Sequence, residues 1–436
     1  MHMAWSNKAV WRKNVPDKRK DFPTKSDQKS GGITLKTQDY RTKTLFLEHK
    51  NPSFGGAWGV GIDIGYSGTK IFSPNIVACF PSFAVPVDGS LINISSPDSA
   101  TILYRDSETG RIWRVGKTAQ DNISIHDPDS NTASIYDRQR YFSPQFLVFA
   151  RTALGIACTK NEFGDPDGKK IYLQTGLPNK YLKSDSNQIV SVLSGEHAFD
   201  LKVGSSEWKH YEITLELSKK DVTLQPIGTL LSVATDNNGM ATPDAEKIMR
   251  SMSFVLDPGF GTMDYFSLMG RELKNDETLT EYSMKRVLEE ASEKIYKKYG
   301  VEIPVPSFQK YLDLGYVTRF DRKERRGYNE DFADILEECS REIANQAIDK
   351  LCDLFDNFLE YNYLVITGGT GEAWYPYFEE ALAGIPNLTL VPGNRGTEGF
   401  MTDGNGNSTG LPFFFSNARG YYFYLQSRLA KEHRSS

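Results

Sequence analysis

Two aspartates, Asp63 and Asp257, each stand near the end of an apolar stretch and just before a glycine-rich turn. Residues 59–70 read GVGIDIGYSGTK, and residues 254–264 read FVLDPGFGTMD. The apolar residues before each aspartate predict a buried strand, and the glycines after it predict a hairpin whose backbone is open to a ligand. The pattern recurs after about 194 residues (257 minus 63), which suits two similar halves.

The chemistry that such residues can perform is the binding of a magnesium nucleotide. Glycine lets backbone N–H groups approach phosphates, and carboxylates hold Mg²⁺, usually through water because the ion dehydrates reluctantly. We therefore predict that Asp63 and Asp257 organise Mg²⁺ through water. The predicted phosphate contacts are Gly65, Tyr66, Ser67, Gly68, Thr69 and Lys70 in the first turn and Gly259, Phe260, Gly261 and Thr262 in the second. In the alternative interpretation, the two aspartates only cap their turns.

The spacing of these motifs excludes two common nucleotide sites. Neither turn is followed by a predicted helix, and the pattern Gly-x-x-x-x-Gly-Lys-Ser/Thr is absent from the sequence. The site is therefore neither a P-loop nor a Rossmann site. The four cysteines are widely separated and form no Cys-x-x-Cys pair, which argues against a disulfide framework and a zinc site.

The composition of the chain indicates its class, its number of domains and the distribution of its charge. The chain has 436 residues, of which 39% are hydrophobic and 25% charged, as in ordinary globular proteins, and its length suggests two or three domains. Without a long apolar run or a signal peptide, a cytoplasmic location is expected. Residues 1–57 hold 12 Lys/Arg and 5 Asp/Glu, a charge of +7 that leaves −12 on the rest. We predict a basic extension outside the core, with an edge strand at residues 44–47 as an exception, and it could dock on a neighbouring protomer.

The remaining pattern predicts the elements that position the site. Residues 280–299 and 329–361 have helical spacing of apolar residues, and the second tract leads into a short apolar strand at 363–366. That strand opens onto Gly368, Gly369, Thr370 and Gly371, and an aromatic helix is predicted at 417–429. Gln225 is predicted at a strand end before the second aspartate motif.

The ordered set of motifs resembles the actin-like ATPases of the actin, sugar kinase and heat-shock chaperone superfamily. Residues 63–70 have the form Asp-x-Gly-x-x-x-x-Lys of the first phosphate motif, residues 257–264 resemble the second, and GGTG at 368–371 is similar to the adenosine motif. The stretches LQTGLP at 173–178 and SNARGYY at 416–422 are most similar to ParM-type plasmid-segregation actins. The motifs cover about residues 58–430.

The resemblance implies an α/β actin-like fold of two domains around a nucleotide cleft. Its domains would be a basic extension at 1–57, domain I at 58–256 with a small subdomain at about 82–140, domain II at 257–411, and a helix at 412–436 returning to domain I. Gln225 would orient the hydrolytic water, although it could instead be an ordinary strand-end residue. Gly368, Gly369, Thr370 and Gly371 would lie along the adenosine, with Lys285 and Glu289 as candidates for contacting the base.

The function that the resemblance implies is an ATPase, or GTPase, that forms filaments and segregates plasmid DNA through an adaptor protein, without a membrane and without direct DNA binding. The cofactors would be ATP or GTP and Mg²⁺. The alternatives are a small-molecule kinase of the same superfamily and a non-catalytic nucleotide-binding cytoskeletal scaffold. A kinase would need an aspartate positioned as general base on a substrate hydroxyl, and the sequence offers no convincing one. A chaperone would need a peptide-binding domain after the ATPase.

Overall fold

The computed structural model describes residues 36–87, 100–121, 138–270 and 272–435 of the protein. Within these residues the strands are β1 Leu45–Glu48, β2 Ala57–Ile64, β3 Gly68–Phe72, β4 Ile76–Pro81, β5 Ala84–Val87, β6 Ile102–Asp106, β7 Ile112–Val115, β8 Lys170–Leu177, β9 Gly195–Val203, β10 Lys209–Leu215, β11 Val222–Leu224, β12 Ser253–Pro258, β13 Met263–Met269, β14 Glu272–Leu279, β15 Tyr316–Asp321, β16 Arg326–Asp331, β17 Tyr363–Ile366, β18 Thr389–Pro392, β19 Met401–Thr402 and β20 Ser408–Thr409. The α-helices are α1 Lys117–Asp121, α2 Pro144–Ala157, α3 Asn179–Leu193, α4 Gln225–Val233, α5 Ala245–Arg250, α6 Met284–Tyr299, α7 Val305–Leu314, α8 Ala333–Leu354, α9 Gly369–Leu382 and α10 Ser416–Ser435.

Two sheets share a five-strand topology, to which the first sheet adds β1 at its edge, and each contains one of the aspartate hairpins. The first sheet has the order β1-β4-β3-β2-β8-β11, and the third has the order β14-β13-β12-β17-β18. In each, three antiparallel strands are followed by two strands that continue parallel to the first of them. The repeated motif in the sequence thus corresponds to a repeated sheet. Below, the part around the first sheet is called the N-terminal half and the part around the third sheet the C-terminal half.

The second sheet belongs to the N-terminal half and has the order β10-β9-β6-β7-β5. Three of its strands come from the predicted small subdomain at about 82–140, and two come from residues 195–215. Helix α2 lies between this sheet and the first one. Its start was predicted from Ser143-Pro144, and the Ser143 side chain caps it by accepting a hydrogen bond from the Phe146 N–H.

Strands β2 and β12 are buried on both faces, as expected where helices cover both sides of a sheet. On β12, Phe254 and Leu256 pack with α6, α8 and α9, whereas Val255 packs on the opposite face with residues of α4 and α5. This alternation follows from the two-residue period of a strand. Each aspartate therefore ends a strand that packing holds in place on both sides.

Several elements differ from the sequence-based prediction. The helix predicted at 280–299 begins at Met284, and the one predicted at 329–361 begins only at Ala333 and ends at Leu354. Residues 326–331 pair instead with β15 as an antiparallel hairpin. Helix α3, Asn179–Leu193, was not predicted.

The segment before the first sheet is not wholly outside the core. The predicted edge strand at residues 44–47 is present as β1, which pairs antiparallel with β4. A short 3-10 helix, Thr37–Tyr40, precedes it, and Tyr40 is buried in the core of the C-terminal half. The basic part at 1–35 lies outside the described residues. Among the described helices none is long and apolar enough to cross a membrane.

Candidate functional site

The two aspartate hairpins border one cavity between the halves, with about 1130 Å³ of open space. The N-terminal half contributes residues of the first hairpin, and the C-terminal half contributes residues of the second hairpin and the start of α9. The lining includes the predicted residues Asp63, Gly65, Tyr66, Ser67, Gly68, Lys70, Gln225, Asp257, Gly259, Phe260, Thr262, Gly368, Gly369 and Thr370.

Asp63 lies near the end of β2 and is 3% exposed. Its Oδ2 is 3.0 Å from the Lys70 ammonium, which faces it in the β2–β3 register. Its Oδ1 accepts a hydrogen bond of 3.0 Å from the Gln225 amide nitrogen. The two oxygens are therefore held by one charged and one neutral donor, which fixes the carboxylate at the floor of the cavity.

Asp257 is the corresponding carboxylate of β12. Its Oδ2 accepts a hydrogen bond of 2.8 Å from the Asn417 amide at the start of α10. The pKa of Asp257 is raised to about 6, chiefly by burial and also by the negative charge of Asp63, against the lowering effect of the Asn417 bond. Two carboxylates close together repel each other when both are charged. A cation bound between them would stabilise the charged form of both.

The donor set fits Mg²⁺ held through water. Asp63 and Asp257 supply hard oxygen atoms, but the described residues contain no group of three or more His, Cys, Asp or Glu that could hold a metal ion. A cage built from protein ligands alone is thus not provided by this part of the chain. Mg²⁺ usually keeps several waters and binds one or two carboxylates together with substrate phosphates.

A third carboxylate, Asp264, also lines the cavity. The hydroxyls of Thr262 and Thr278 donate to its two oxygens, and it faces Asp257 in the β12–β13 register. Burial, together with the charge of Asp257, raises the pKa of Asp264 to about 7. At neutral pH this group is therefore divided between its neutral and charged forms.

Gly368 brings the start of α9 against the second hairpin. A Cβ on Gly368 would lie 2.4 Å from the Asp257 Oδ1 and 2.4 Å from the Pro258 carbonyl oxygen, and its φ is +78°. Only glycine fits there. The Thr370 hydroxyl donates to the Gly259 carbonyl at 2.8 Å. The 14-residue α9 thus directs its N-terminus, where the free N–H groups favour anions, toward the cavity.

The first hairpin is braced by Arg140, a residue that the sequence analysis did not single out. Its Nη2 donates to the Ile64 carbonyl at 2.8 Å, and its guanidinium lies 4.0 Å from the centre of the Tyr66 ring. The turn is closed by the Gly65 N–H, which donates to the Gly68 carbonyl at 3.0 Å. Nothing local in the sequence marks Arg140, because it contacts the hairpin from more than 70 positions away.

Gln225 is not at a strand end, as predicted, but is the first residue of α4, directly after β11. Pro226 follows it, as is common in the first turn of a helix. The helix start still places the Gln225 side chain on Asp63. Helix α4 crosses α10 at very short range, because a Cβ on Gly228 would lie 2.8 Å from the Asn417 carbonyl oxygen. The same crossing thus holds Gln225 on one aspartate and Asn417 on the other.

Five predicted site residues do not line the cavity. Thr69 bonds to the Ser82 hydroxyl, Gly261 lies against the Tyr66 ring, and Gly371 packs on Pro258, so these three support the lining from behind. Lys285 and Glu289 form an exposed ion pair of 3.7 Å on α6, and only their neighbour Met284 faces the cavity. The prediction that they contact a base is not supported by this placement.

Comparisons with known proteins agree with this geometry. Residues 61–228 match the family model described as the N-terminal domain of actin-like proteins. No curated protein matches the chain significantly. The chain has the actin-like fold, and the resemblance to ParM-type proteins is confirmed at the level of the fold.

Several solved structures are similar over most of the chain. The pCBH ParM non-polymerisable quadruple mutant has a TM-score of 0.61 and 18% identity, covering 85% of this chain and 99% of that one. A 15-stranded ParM filament from Clostridium botulinum has a TM-score of 0.59 and 19% identity, covering 86% and 99%. The archaeal actin homolog Ta0583 in complex with ADP has a TM-score of 0.53 and 16% identity, covering 86% and 99%.

Proposed function

We propose that the protein binds and hydrolyses ATP or GTP in the cavity between its halves, with Mg²⁺, and forms filaments in a nucleotide-dependent manner. The observation that carries this proposal is the pair of opposed carboxylates, Asp63 and Asp257, each near the end of a buried strand beside a glycine hairpin. Both are fixed by amides, from Gln225 and Asn417, that belong to two crossing helices. Fold alone would not assign this function; the site supplies the argument.

In this proposal the chain's own residues position the phosphates. The backbone N–H groups within the two turns, at residues 66–68 and 260–262, contact phosphate oxygens from opposite sides, and Lys70 adds a positive charge. Asp63 and Asp257 would hold Mg²⁺ through water, and the ion would supply positive charge beside the phosphates. The start of α9, with Gly368 and Gly369, faces the adenosine.

Gln225 orients the water that attacks the terminal phosphate. Its amide nitrogen is used by Asp63, so its amide oxygen remains as an acceptor for a water proton. An amide cannot remove that proton as a general base. Its contribution is therefore orientation of the water.

The biological part of the proposal is plasmid DNA segregation by such filaments. It rests on the similarity to ParM structures, of which one is described as a filament, and on the motifs shared with segregation actins. The filament is a homopolymer, and an adaptor protein links it to DNA. The proposed place of action is the cytoplasm.

Polymerisation and hydrolysis are tested together by light scattering and phosphate release, with ATP and with GTP, in the presence and absence of Mg²⁺. We expect scattering to rise with one of the triphosphates and Mg²⁺, and phosphate to follow. Electron microscopy of the same samples checks that the rise is due to filaments.

Each rival function predicts a different result. No nucleotide-dependent rise at micromolar protein would refute filament formation. Phosphate transfer that requires an added sugar would favour a kinase, and filaments without phosphate release would favour a non-catalytic scaffold. The Asp257→Asn variant is the matched probe of the site, because it keeps the size of the side chain and removes its charge.

A further inference from the structure

Residues 36–43, here called the strap, pass from one half of the molecule to the other on the open side of the cavity. At one end, Tyr40 is buried in the core of the C-terminal half at 6% exposure. At the other end, β1 begins at Leu45, which pairs with Cys79 in the first sheet of the N-terminal half. Only four residues separate these two anchors. The two halves are therefore joined here by a short piece of chain.

Arg41 contacts both halves with one side chain. Its Nη2 is 2.6 Å from the Asp121 carboxylate at the end of α1, and its Nη1 is 2.5 Å from the Asp313 carboxylate in α7. The first helix packs on the sheets of the N-terminal half, the second packs on α6 in the C-terminal half, and the two helices also pack on each other. The Arg41 side chain is only 7% exposed, so this double ion pair is partly shielded from water.

Thr42, the next residue, makes the same connection with hydrogen bonds. Its backbone N–H donates to the Gln309 side-chain oxygen in α7 at 3.0 Å. Its hydroxyl lies 3.0 Å from the Gln120 side-chain oxygen in α1 and 3.2 Å from that of Gln309. A hydroxyl has only one proton, so the two glutamines share it or one of them turns its amide nitrogen toward the oxygen of Thr42.

Two further contacts hold the beginning of the strap on α7. The Thr37 hydroxyl donates to the Leu312 carbonyl at 3.0 Å, and the Gln38 amide donates to the Asp313 carbonyl at 3.2 Å. These carbonyls belong to the last turn of α7, where helical partners run out. The strap thus covers the C-terminal end of this helix.

The inner side of the strap is part of the cavity lining. Asp39, Tyr40, Arg41, Thr42 and Lys43 all border the same space as the two phosphate hairpins. Lys43, whose ammonium donates to the Gln38 carbonyl at 2.7 Å, and Glu372 of α9 both border this space, and both residues are exposed. Their accessible surface therefore opens into the cavity, where a ligand can reach it.

We propose that the strap is a wall of the nucleotide site that retains the bound nucleotide by strengthening the contact between α1 and α7, which pack on each other next to the strap. This inference rests on the proposed function, because it assumes that a nucleotide occupies the cavity. Release of the nucleotide then requires the Arg41 and Thr42 contacts to break on at least one side. The two phosphate hairpins, by contrast, remain as they are.

The test is the dissociation rate of N-methylanthraniloyl-ADP, and of the GDP derivative, measured by chase with unlabelled nucleotide. Arg41→Ala and Thr42→Ala together remove the side-chain contacts to both helices. We expect the dissociation rate to rise about tenfold or more, equivalent to about 1.4 kcal/mol, because the charged and neutral hydrogen bonds to both helices are lost together. Asp313 is about half exposed and Asp121 also pairs with Lys117, so neither is left buried and unpaired.

Two control variants distinguish the loss of strap contacts from a general effect of mutation on the nucleotide dissociation rate. Lys170→Ala removes an equally short but exposed ion pair with Glu216, far from α1 and α7 in the sheet, and should leave the rate unchanged. A chain that begins at Lys36 keeps the strap and should also release nucleotide at the original rate. Circular dichroism and thermal unfolding check that each variant is folded.

Variants of the residues that the strap contacts test the proposal even if the strap variants fold poorly. Gln120→Ala weakens the α1 side, and Gln309→Ala weakens the α7 side. Each should accelerate release, and adding Thr42→Ala should change the rate less than additively, since the same bonds are lost. Tight nucleotide binding with an unchanged dissociation rate in all these variants would overturn the strap proposal. No nucleotide binding by the original chain would instead refute the proposed function.

Discussion

Gly228 and Gly420 touch backbone to backbone where α4 crosses α10. A Cβ on Gly420 would lie 1.8 Å from the Gly228 carbonyl oxygen, closer than any two such atoms can approach. The two helices carry Gln225 and Asn417, whose amides hold Asp63 and Asp257. The contact between two residues without side chains therefore fixes the distance between the two halves of the site.

The first prediction concerns this crossing. Gly420→Ala should gain about 1 kcal/mol in helix propensity but lose more, about 3 kcal/mol, because the backbone of α4 must move away. We expect a net loss of about 2 kcal/mol in the free energy of unfolding, measured by urea denaturation. Gly384→Ala is the matched control, since a Cβ there meets nothing within 4 Å. Equal stability of the two variants would contradict the close contact.

The second prediction tests the water-orienting role of Gln225. Gln225→Ala should lower the rate of phosphate release at saturating nucleotide about 100-fold, the lower end of what such positioned groups contribute. Nucleotide affinity should change little, since the phosphate hairpins are untouched. Gln188→Ala, on the exposed face of α3, is the control. A phosphate release rate that stays at the original value would remove Gln225 from the mechanism.

The third prediction follows from the raised pKa of Asp264. Its pKa is about 7 in the folded protein and 3.8 in the ordinary case, so folding favours its neutral form. The stability that this group provides is present below about pH 4 and is lost as the pH rises toward 7, by up to about 1.4 kcal/mol per pH unit.

Asp264→Asn removes this titration. We expect the free energy of unfolding of the nucleotide-free variant, relative to the original chain, to improve steadily from pH 5 to pH 7 in urea titrations. Asp403→Asn is the control, because local hydrogen bonds keep the pKa of the exposed Asp403 below 3.8 and it does not titrate in this window. Parallel pH profiles for the original chain and Asp264→Asn would show that Asp264 does not titrate there.

The fourth prediction concerns Arg140, which braces the first phosphate hairpin. Arg140→Ala removes the hydrogen bond to Ile64 and the cation–π contact with Tyr66. We expect a rise of about tenfold or more in the nucleotide dissociation constant, measured by fluorescence titration. Arg140→Lys should not restore affinity, because an ammonium lacks the planar fork. Arg111→Ala, which removes an exposed cation–π contact with Trp113, should leave affinity unchanged.

The parts of the site that sequence could predict are those built from neighbouring residues. Asp63, Asp257 and their glycine turns were found because strand alternation and glycine are local signals. The repeat of the hairpin in a second sheet followed from the repeat of the motif. Gln225 was correctly associated with the site, although the helix that presents it was taken for a strand end.

The residues that were missed act across long stretches of chain. Arg140 and the strap reach the site only through tertiary packing, and no spacing rule links them to it. Asn417 stood within a stretch similar to ParM-type actins, but its bond to Asp257 depends on how α10 crosses α4. Lys285 and Glu289 were candidates for contacting the base because the family resemblance pointed to their helix. Helical periodicity does not say which turn of that helix reaches the cavity.

The position of the strap determines how a pulling force on this part of the chain would reach the fold. From Lys36 the described chain reaches the first sheet along the strap, whose residues Thr37, Gln38, Arg41 and Thr42 bond to α7 and α1. A pull applied at Lys36 acts first on these bonds, beside the cavity, and only afterwards on the paired strand β1. Tension applied at Lys36 would therefore be transmitted to the cavity before it reached β1.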